Sequence, residues 1–554
     1  MPNLHPLVRE LRNVDLTSIS SNDVASIFAA ADEAGITPTE REILKSTFER
    51  NKQNWSSAVQ SDWSSRLARS QNSRITSPPT PRRGPDSEDL SSRMKTVWMP
   101  GLGDEIQNAY IVDMVQLGAQ LGFQLVLEAP EWASTYAIAA GLSSATGIPV
   151  SELDNIVDIN RSSSFASVWG EDNKILTNGD DRTRPVKVLV PPDVSAAALD
   201  KAIIFTQDEG YHPYEPGFQG AVTERSEDDA AVSTANSLGR RAVRTKTYVE
   251  GGNLLPGVTS DGKAFAMVGR DSVIVSAFHL AEKNAFGRRA IERKKREMRA
   301  EGRLDPEVVA QTARKLSDVE YYASTGFNLS DGRQLVRKAQ DFLATLELTQ
   351  AQMAKDLDLP LDRLVTVSQP DFHIDMHMRP LAPGEILINH PSACIEAIDD
   401  ALSQRGVRRW EARELRSMRS AAVRELREKG QVYEQIINEV EAAGLIAIKA
   451  PGVFESSNRK ANFMNAVPGT TEGGTKYMLT NSSSIKPLEQ AFERFAKSLG
   501  VDKVEFVGSA WGGANSLSAS EYSLEYSGGL DCREVDHAGK RTPKRDLSSA
   551  VGIS

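Results

Sequence analysis

The chain has 554 residues, enough for a sizeable core and for two to four domains, or for one large domain carrying insertions. It is 40% hydrophobic and 25% charged, an ordinary composition for a globular protein. Its 65 Lys and Arg against 75 Asp and Glu give a net charge of −10, which argues against a general polyanion binder and favours attraction of cations. The two cysteines, Cys394 and Cys532, are too few for a disulfide framework or a Cys-rich zinc site, so the chain reads as made for a reducing compartment. The start of the chain has no apolar core of signal-peptide length, and no stretch approaches the ~20 apolar residues of a membrane span. Cytoplasmic synthesis is expected, with signal-free secretion left open.

Residues 1–75 predict a helical N-terminal module. "NDVASIFAAADEAG" places apolar residues at helical spacing and ends at Gly35, and "TPTEREILKSTFERN" opens with a Thr cap and Pro38. The connecting "GIT" is too short for a 12-residue calcium loop. Residues 76–94 combine Pro, Ser and charge without periodicity, as a linker does.

A main domain is expected over 95–540, with a tail over 541–554. "KTVWMP", "EIQNAYIVDMVQLGAQLG" and "FQLVLEA" read as strand, helix, strand, the pattern of a mixed α/β domain. Later β-like runs include "VKVLVPP", "KAIIFTQD", "KTYVEGGNLL", "AFAMVGRDSVIVS", "RLVTVSQPDFHIDMHMRPL", "GEILINH", "LIAIKAP", "FMNAVPG", "KYMLTNS" and "VEFVGSA". Long charged helices interrupt them at about 283–358 and 395–443. The basic runs 287–303 and 405–430 within them mix Lys and Arg with Glu at helical spacing and carry no stacking motif, so they read as a solvated helix or hairpin lid rather than a nucleic-acid surface.

Four stretches near strand ends carry polar groups unusual for a core: "FTQDEGYHPY" with Asp208, "YVEGGNLLPG" with Glu250 and Asn253, "FHIDMHMRP" with His373, Asp375 and Arg379, and "SGGLDCREV" with Cys532. On a strand, His373 and Asp375, two apart, would share a face. A thiol nucleophile needs a proton shuttle, and His is the side chain suited to that near neutral pH. Two carboxylates facing one pocket would grip a planar guanidinium through paired hydrogen bonds. Cys394, in "HPSACIEAI", reads as a core residue on a helical face.

In the order Asp, Glu-Gly-Gly, His-x-Asp, Gly-Gly-x-x-Cys, the chain resembles the guanidine-modifying (pentein) superfamily of arginine, agmatine and protein-arginine deiminases and amidinotransferases. "FTQDEGY" resembles the protein-arginine deiminases, whereas "EGGN" and "HIDMHMR" resemble the bacterial small-molecule enzymes. "NFMNAV", with Asn462 and Asn465, fits the segment those enzymes place before their cysteine. Many members carry His directly before the nucleophile; this chain carries Asp531. The resemblance spans about 95–537 and leaves out the N-terminal module and both insertions.

What the resemblance implies is a five-bladed α/β propeller of ββαβ units around a central pocket, acting as a deiminase on a small guanidine or on peptidyl arginine. Cys532 would attack the guanidinium carbon. His373 would serve as acid and then base, Glu250 would orient it, and Asp208, Asp375, Arg379 and Asn253 would bind substrate. No cofactor and no metal are required, and no nucleic-acid or membrane partner is expected; the oligomeric state stays open. Three alternatives stand beside it. One is amidino transfer through the same intermediate. Another is a metal site built from His373, Asp375 and His377 alternating along a strand. The third is a non-enzymatic scaffold.

Overall fold

The computed structural model describes residues 85, 89–100, 105–130, 133–162, 175–177, 187–206, 231–232, 235, 240–323, 330–370, 373–455, 458–508 and 534–536. The N-terminal module predicted over 1–75, most of the linker and the tail, together with Asp208 and Cys532, lie outside them. The chain divides into two units, Met1–Pro78 with Arg494–Val501 and Pro79–Glu493 with Asp502–Ser554. The second is the mixed α/β unit described below.

In chain order its elements begin with β1 (Thr96–Pro100), α1 (Glu105–Leu121), β2 (Gln124–Pro130), α2 (Thr135–Thr146), α3 (Val150–Leu153) and β3 (Val157–Ser162). Next come β4 (Ile175–Leu176), β5 (Lys187–Val190), α4 (Ala196–Thr206) and β6 (Arg241–Arg244). A 3-10 turn, Gly251–Asn253, leads into β7 (Leu254–Val258) and β8 (Ala264–Gly269). Then follow α5 (Arg270–Glu282), α6 (Arg288–Ala300), α7 (Pro306–Ala323), α8 (Gly332–Asp356) and β9 (Leu364–Val367). β10 (Met378–Ala382), β11 (Glu385–Asn389), α9 (Pro391–Ser403), α10 (Arg409–Ala442) and β12 (Ile446–Ala450) come next. The series closes with β13 (Val453–Glu455), β14 (Asn458–Ala461), β15 (Ala466–Thr470), β16 (Lys476–Asn481), α11 (Lys486–Ser498, of which residues from Arg494 onward are assigned to the first unit), β17 (Lys503–Val507) and β18 (Glu534–Asp536).

One local order recurs through the described sheets. β4, β7, β10 and β15 each pair antiparallel with the following strand, which pairs parallel with a third strand reached through helix. The helical crossover follows from the pairing, because two parallel strands cannot be joined by a tight turn. Two sheets remain: β13 pairs antiparallel with β14, and in the other β18 lies antiparallel to β1 while β1, β2 and β3 run parallel. β7, β8 and β11 are buried at every position, which explains why they read as unbroken apolar runs.

Neighbouring sheets share apolar cores. Ile175 and Leu189 from β4 and β5 pack with Leu254, Ala266 and Val268 from β7 and β8. Leu255, Phe265 and Met267 join Met378, Ile386 and Ile388 from β10 and β11, closed over by Tyr433 and Ile436 of α10. Val467, Tyr477, Leu479 and Val507 from β15, β16 and β17 pack with Val97, Leu125, Leu127 and Ile159. The segment 89–92 stitches two further sheets, Leu90 N donating to Leu381 O and Thr470 N to Ser92 O.

Several predicted strands are corrected. "KAIIFTQD" belongs in part to α4, where Ala198, Ala202 and Phe205 recur at helical spacing on the buried face. "AFAMVGRDSVIVS" is a strand only to Gly269, and its second half opens α5. In "KTYVEGGNLL" the strand starts at Leu254, and in "FMNAVPG" at Ala466. Short apolar runs look alike in a buried strand and a buried helix, and here chain continuity decides between them. No helix among the described residues is long and apolar enough to cross a membrane.

Ile388 lies at the centre of a shared core with no exposed surface. Truncation to Ala is expected to cost about 2–5 kcal/mol, read as a lowered denaturation midpoint. Val336→Ala, at a position 42% exposed, should leave the midpoint nearly unmoved.

Candidate functional site

His373 and Asp375 do not lie on a strand, contrary to expectation. β9 ends at Val367 and β10 begins at Met378; between them the chain passes from one sheet to the next and closes a turn, with His377 N and Met378 N both donating to Ile374 O. What brings His373 and Asp375 together is the 3-10 turn instead. Asp375 N donates to Gly252 O at 3.1 Å, and a Cβ on Gly252 would stand only 2.4 Å from Nδ1 of His373. Gly252 therefore lets the backbone approach the imidazole edge closely, which no other residue could do without displacing it.

Nε2 of His373 lies 3.1 Å from Oε2 of Glu250, and both side chains are buried. A carboxylate only accepts, so Glu250 favours the tautomer that carries its proton on Nε2. The other oxygen of Glu250 accepts from the hydroxyl of Tyr248. Oδ2 of Asp375 accepts from Nδ2 of Asn465 at 2.8 Å. Asn465 is itself held, its carbonyl accepting from Asn481 Nδ2 at 2.8 Å and its N–H donating to Asn462 Oδ1 at 3.3 Å. Each of these side chains is almost fully buried, so each needs its partner to offset lost hydration.

Arg379 heads the fully buried side chains by size, and its Nε donates to Met464 O at 3.4 Å. Asn253 donates from Nδ2 to Ser272 Oγ at 2.8 Å, tying the 3-10 turn to the first turn of α5. The structure thus brings Glu250, His373 and Asp375 around one glycine, with Asn253 and Arg379 on the flanking elements. Asp208 falls two residues after α4 in the chain, and Cys532 two residues before β18.

Two long helices, α8 and α10, grip this site. Oδ2 of Asp356, at the end of α8, accepts from Lys246 N, Thr247 N and Thr247 Oγ1, each at 2.8 Å, on the approach to Glu250. Glu439 of α10 accepts from Ser368 N at 2.6 Å and Ser368 Oγ at 2.9 Å, and Lys429 Nζ donates to Pro370 O at 2.9 Å, on the approach to His373. Asp356, Glu439 and Lys429 carry no local signal, being charged residues on amphipathic helices like their neighbours. A cavity of about 830 Å³ lies among α4, α5, α7, α8 and α10, lined among others by Phe205, Arg270, Lys315, Leu343 and Val432, and touches none of the candidate residues.

The strand alternation needed for a metal site of His373, Asp375 and His377 is replaced by the turn. Among the described residues no group of three or more His, Cys, Asp or Glu could hold a metal ion. Cys394 is fully buried on α9, and burial pushes its thiol pKa upward, so it stays a protonated core residue.

Burial, reinforced by the Lys429 charge, lowers His377 to about 3. The unfolded imidazole takes up a proton below ~6.5 and the folded one does not until far lower, so the unfolded state binds more protons across that interval. Stability contributed by neutral His377 is therefore complete above pH ~6.5 and lost as pH falls toward 3, reaching about 2 kcal/mol at pH 5. His390, lowered to about 4 mainly by burial, acts in the same direction. Denaturation midpoints should fall between pH 7 and 5, and His377→Phe should flatten that dependence.

No protein-family model matches the chain, and no curated protein matches it. Among solved structures, the agmatine deiminase of C. jejuni is similar with a TM-score of 0.38 and 11% identity, over 82% of this chain and 96% of that one. A likeness at that level decides neither fold nor function.

Proposed function

We propose that this chain is a guanidinium hydrolase that converts an arginine-type guanidinium into a ureido group and ammonia through a covalent intermediate on Cys532. The observation that carries the reading is the buried Glu250–His373 pair, packed on Gly252 beside an Asp375 that Asn465 holds in place. The order of the sequence motifs supports it, as does the recurrence of antiparallel pair, helix and parallel strand. With β18 paired to β1, the five sheets of three or more strands would close as a five-bladed propeller around the site.

In this reading the Cys532 thiolate adds to the guanidinium carbon, forming a C–S bond and a tetrahedral adduct. The adduct breaks its C–N bond, and the departing nitrogen takes a proton from His373 and leaves as ammonia. Water then adds to the thiouronium carbon as His373 takes up its proton, and the C–S bond breaks to return thiolate and release the ureido product. Because Nε2 faces Glu250, Nδ1 is the atom through which His373 moves protons, while Glu250 keeps the ring oriented and stabilises its charged form. Asp208 and Asp375 accept hydrogen bonds from the guanidinium nitrogens, which a tetrahedral ammonium cannot satisfy in the same way. Amidino transfer uses the same intermediate, with an amine in place of water.

The test is a panel of free arginine, agmatine, methylated arginine and arginine peptides, read as ammonia and ureido product with chelator present. Turnover of one class, abolished by Cys532→Ala, reduced at least ~10²-fold by His373→Ala and unaffected by Cys394→Ala, is the expected result. Activity surviving Cys532→Ala, or removed by chelator, would overturn the assignment.

A further inference from the structure

Tyr248 lies two residues before Glu250 and is buried, with 1% of its surface exposed. Its hydroxyl donates to the Glu250 oxygen that does not face His373. Its backbone is clamped at both ends by one side chain of α5: Tyr248 N donates to Ser276 Oγ at 2.8 Å, and Ser276 Oγ donates to Tyr248 O at 3.0 Å. Just upstream, Asp356 takes the amides of residues 246 and 247. A buried phenol on a backbone fixed by two helices thus reaches the Glu250 oxygen turned away from His373.

We propose that Tyr248, held by Ser276, is a positioning residue that fixes the Glu250 carboxylate against His373 and tunes the basicity of that imidazole. This rests on the hydrolase reading for its effect on rate, but its effect on His373 is independent of it. The Tyr248 hydroxyl shares the negative charge of Glu250. With the hydroxyl gone, the buried carboxylate loses one of the hydrogen bonds that share its charge and draws a proton onto the imidazole more strongly. The loss also frees Glu250 to rotate, so orientation suffers along with charge.

Tyr248→Phe keeps the packing and deletes only the hydroxyl, and Ser276→Ala loosens the backbone instead. In the full chain the ring of His373, one of 7 histidines, is identified in NMR spectra of 13C-histidine-labelled protein by the signal lost in His373→Gln. Tyr248→Phe is expected to raise the proton affinity of His373 about 3- to 10-fold, lower kcat by about 10-fold, and move the His-dependent limb of the pH–rate profile upward by the same factor. Ser276→Ala should do the same to a smaller degree. An unshifted His373 titration in both variants, whatever happens to thermal stability, overturns the positioning role. A wild type inactive on every guanidine with a shifted titration overturns the hydrolase reading and leaves the positioning role standing.

Discussion

The buried contact between Glu250 and His373 joins two residues 123 positions apart, and much of the surrounding architecture serves to make it possible. A carboxylate and an imidazole taken out of water cost free energy unless each meets a partner in good geometry. Both residues sit on irregular backbone between sheets, where conformational entropy works against a fixed arrangement. The contact therefore depends on whatever stiffens two loops at once, and Gly252 is where the loops meet.

Two long helices supply that stiffness. α8 presents Asp356 to the backbone entering the Glu250 loop, and α10 presents Glu439 and Lys429 to the backbone entering the His373 loop. In each case a charged side chain on a regular helix satisfies main-chain groups that no sheet partner reaches, which removes their desolvation cost and their freedom together. The helices are anchored in turn by apolar cores, through Phe342 and Ala339 of α8 and through Tyr433, Ile436 and Val440 of α10. Hydrophobic packing far from the site thus becomes angular precision within it.

A second layer is polar and runs through Asn462, Asn465 and Asn481 to Asp375. Amides suit this position because each carries both donors and acceptors, so a chain of them can satisfy itself without charge. Asn465 donates to Asp375 with its side chain and accepts from Asn481 with its carbonyl, so the carboxylate rests on a group that cannot easily turn away. Gly269 contributes similarly on the other flank, where a Cβ would collide with Asn253 and Gln369.

The sequence by itself determined the α/β class, the strands whose apolar runs stand between turn signals, the charged helices, and the short polar motifs at strand ends where Glu250, His373, Asp375 and Arg379 lie. Those features are local: periodicity, glycine pairs and unusual polar residues are written in neighbouring positions. It misjudged α4 and the start of α5, because a few apolar residues suit a strand and a buried helix equally. It also placed His373 and Asp375 on one strand face, when a turn and the carbonyl of Gly252 set their arrangement. Only the tertiary structure decided that Tyr248 bonds Glu250, that Ser276 holds Tyr248, that Asn465 holds Asp375, and that Asp356, Glu439 and Lys429 clamp the loops. Each of those contacts depends on where two distant segments meet, and side chains that look like any other tyrosine, serine or glutamate acquire a role only from what packing sets opposite them.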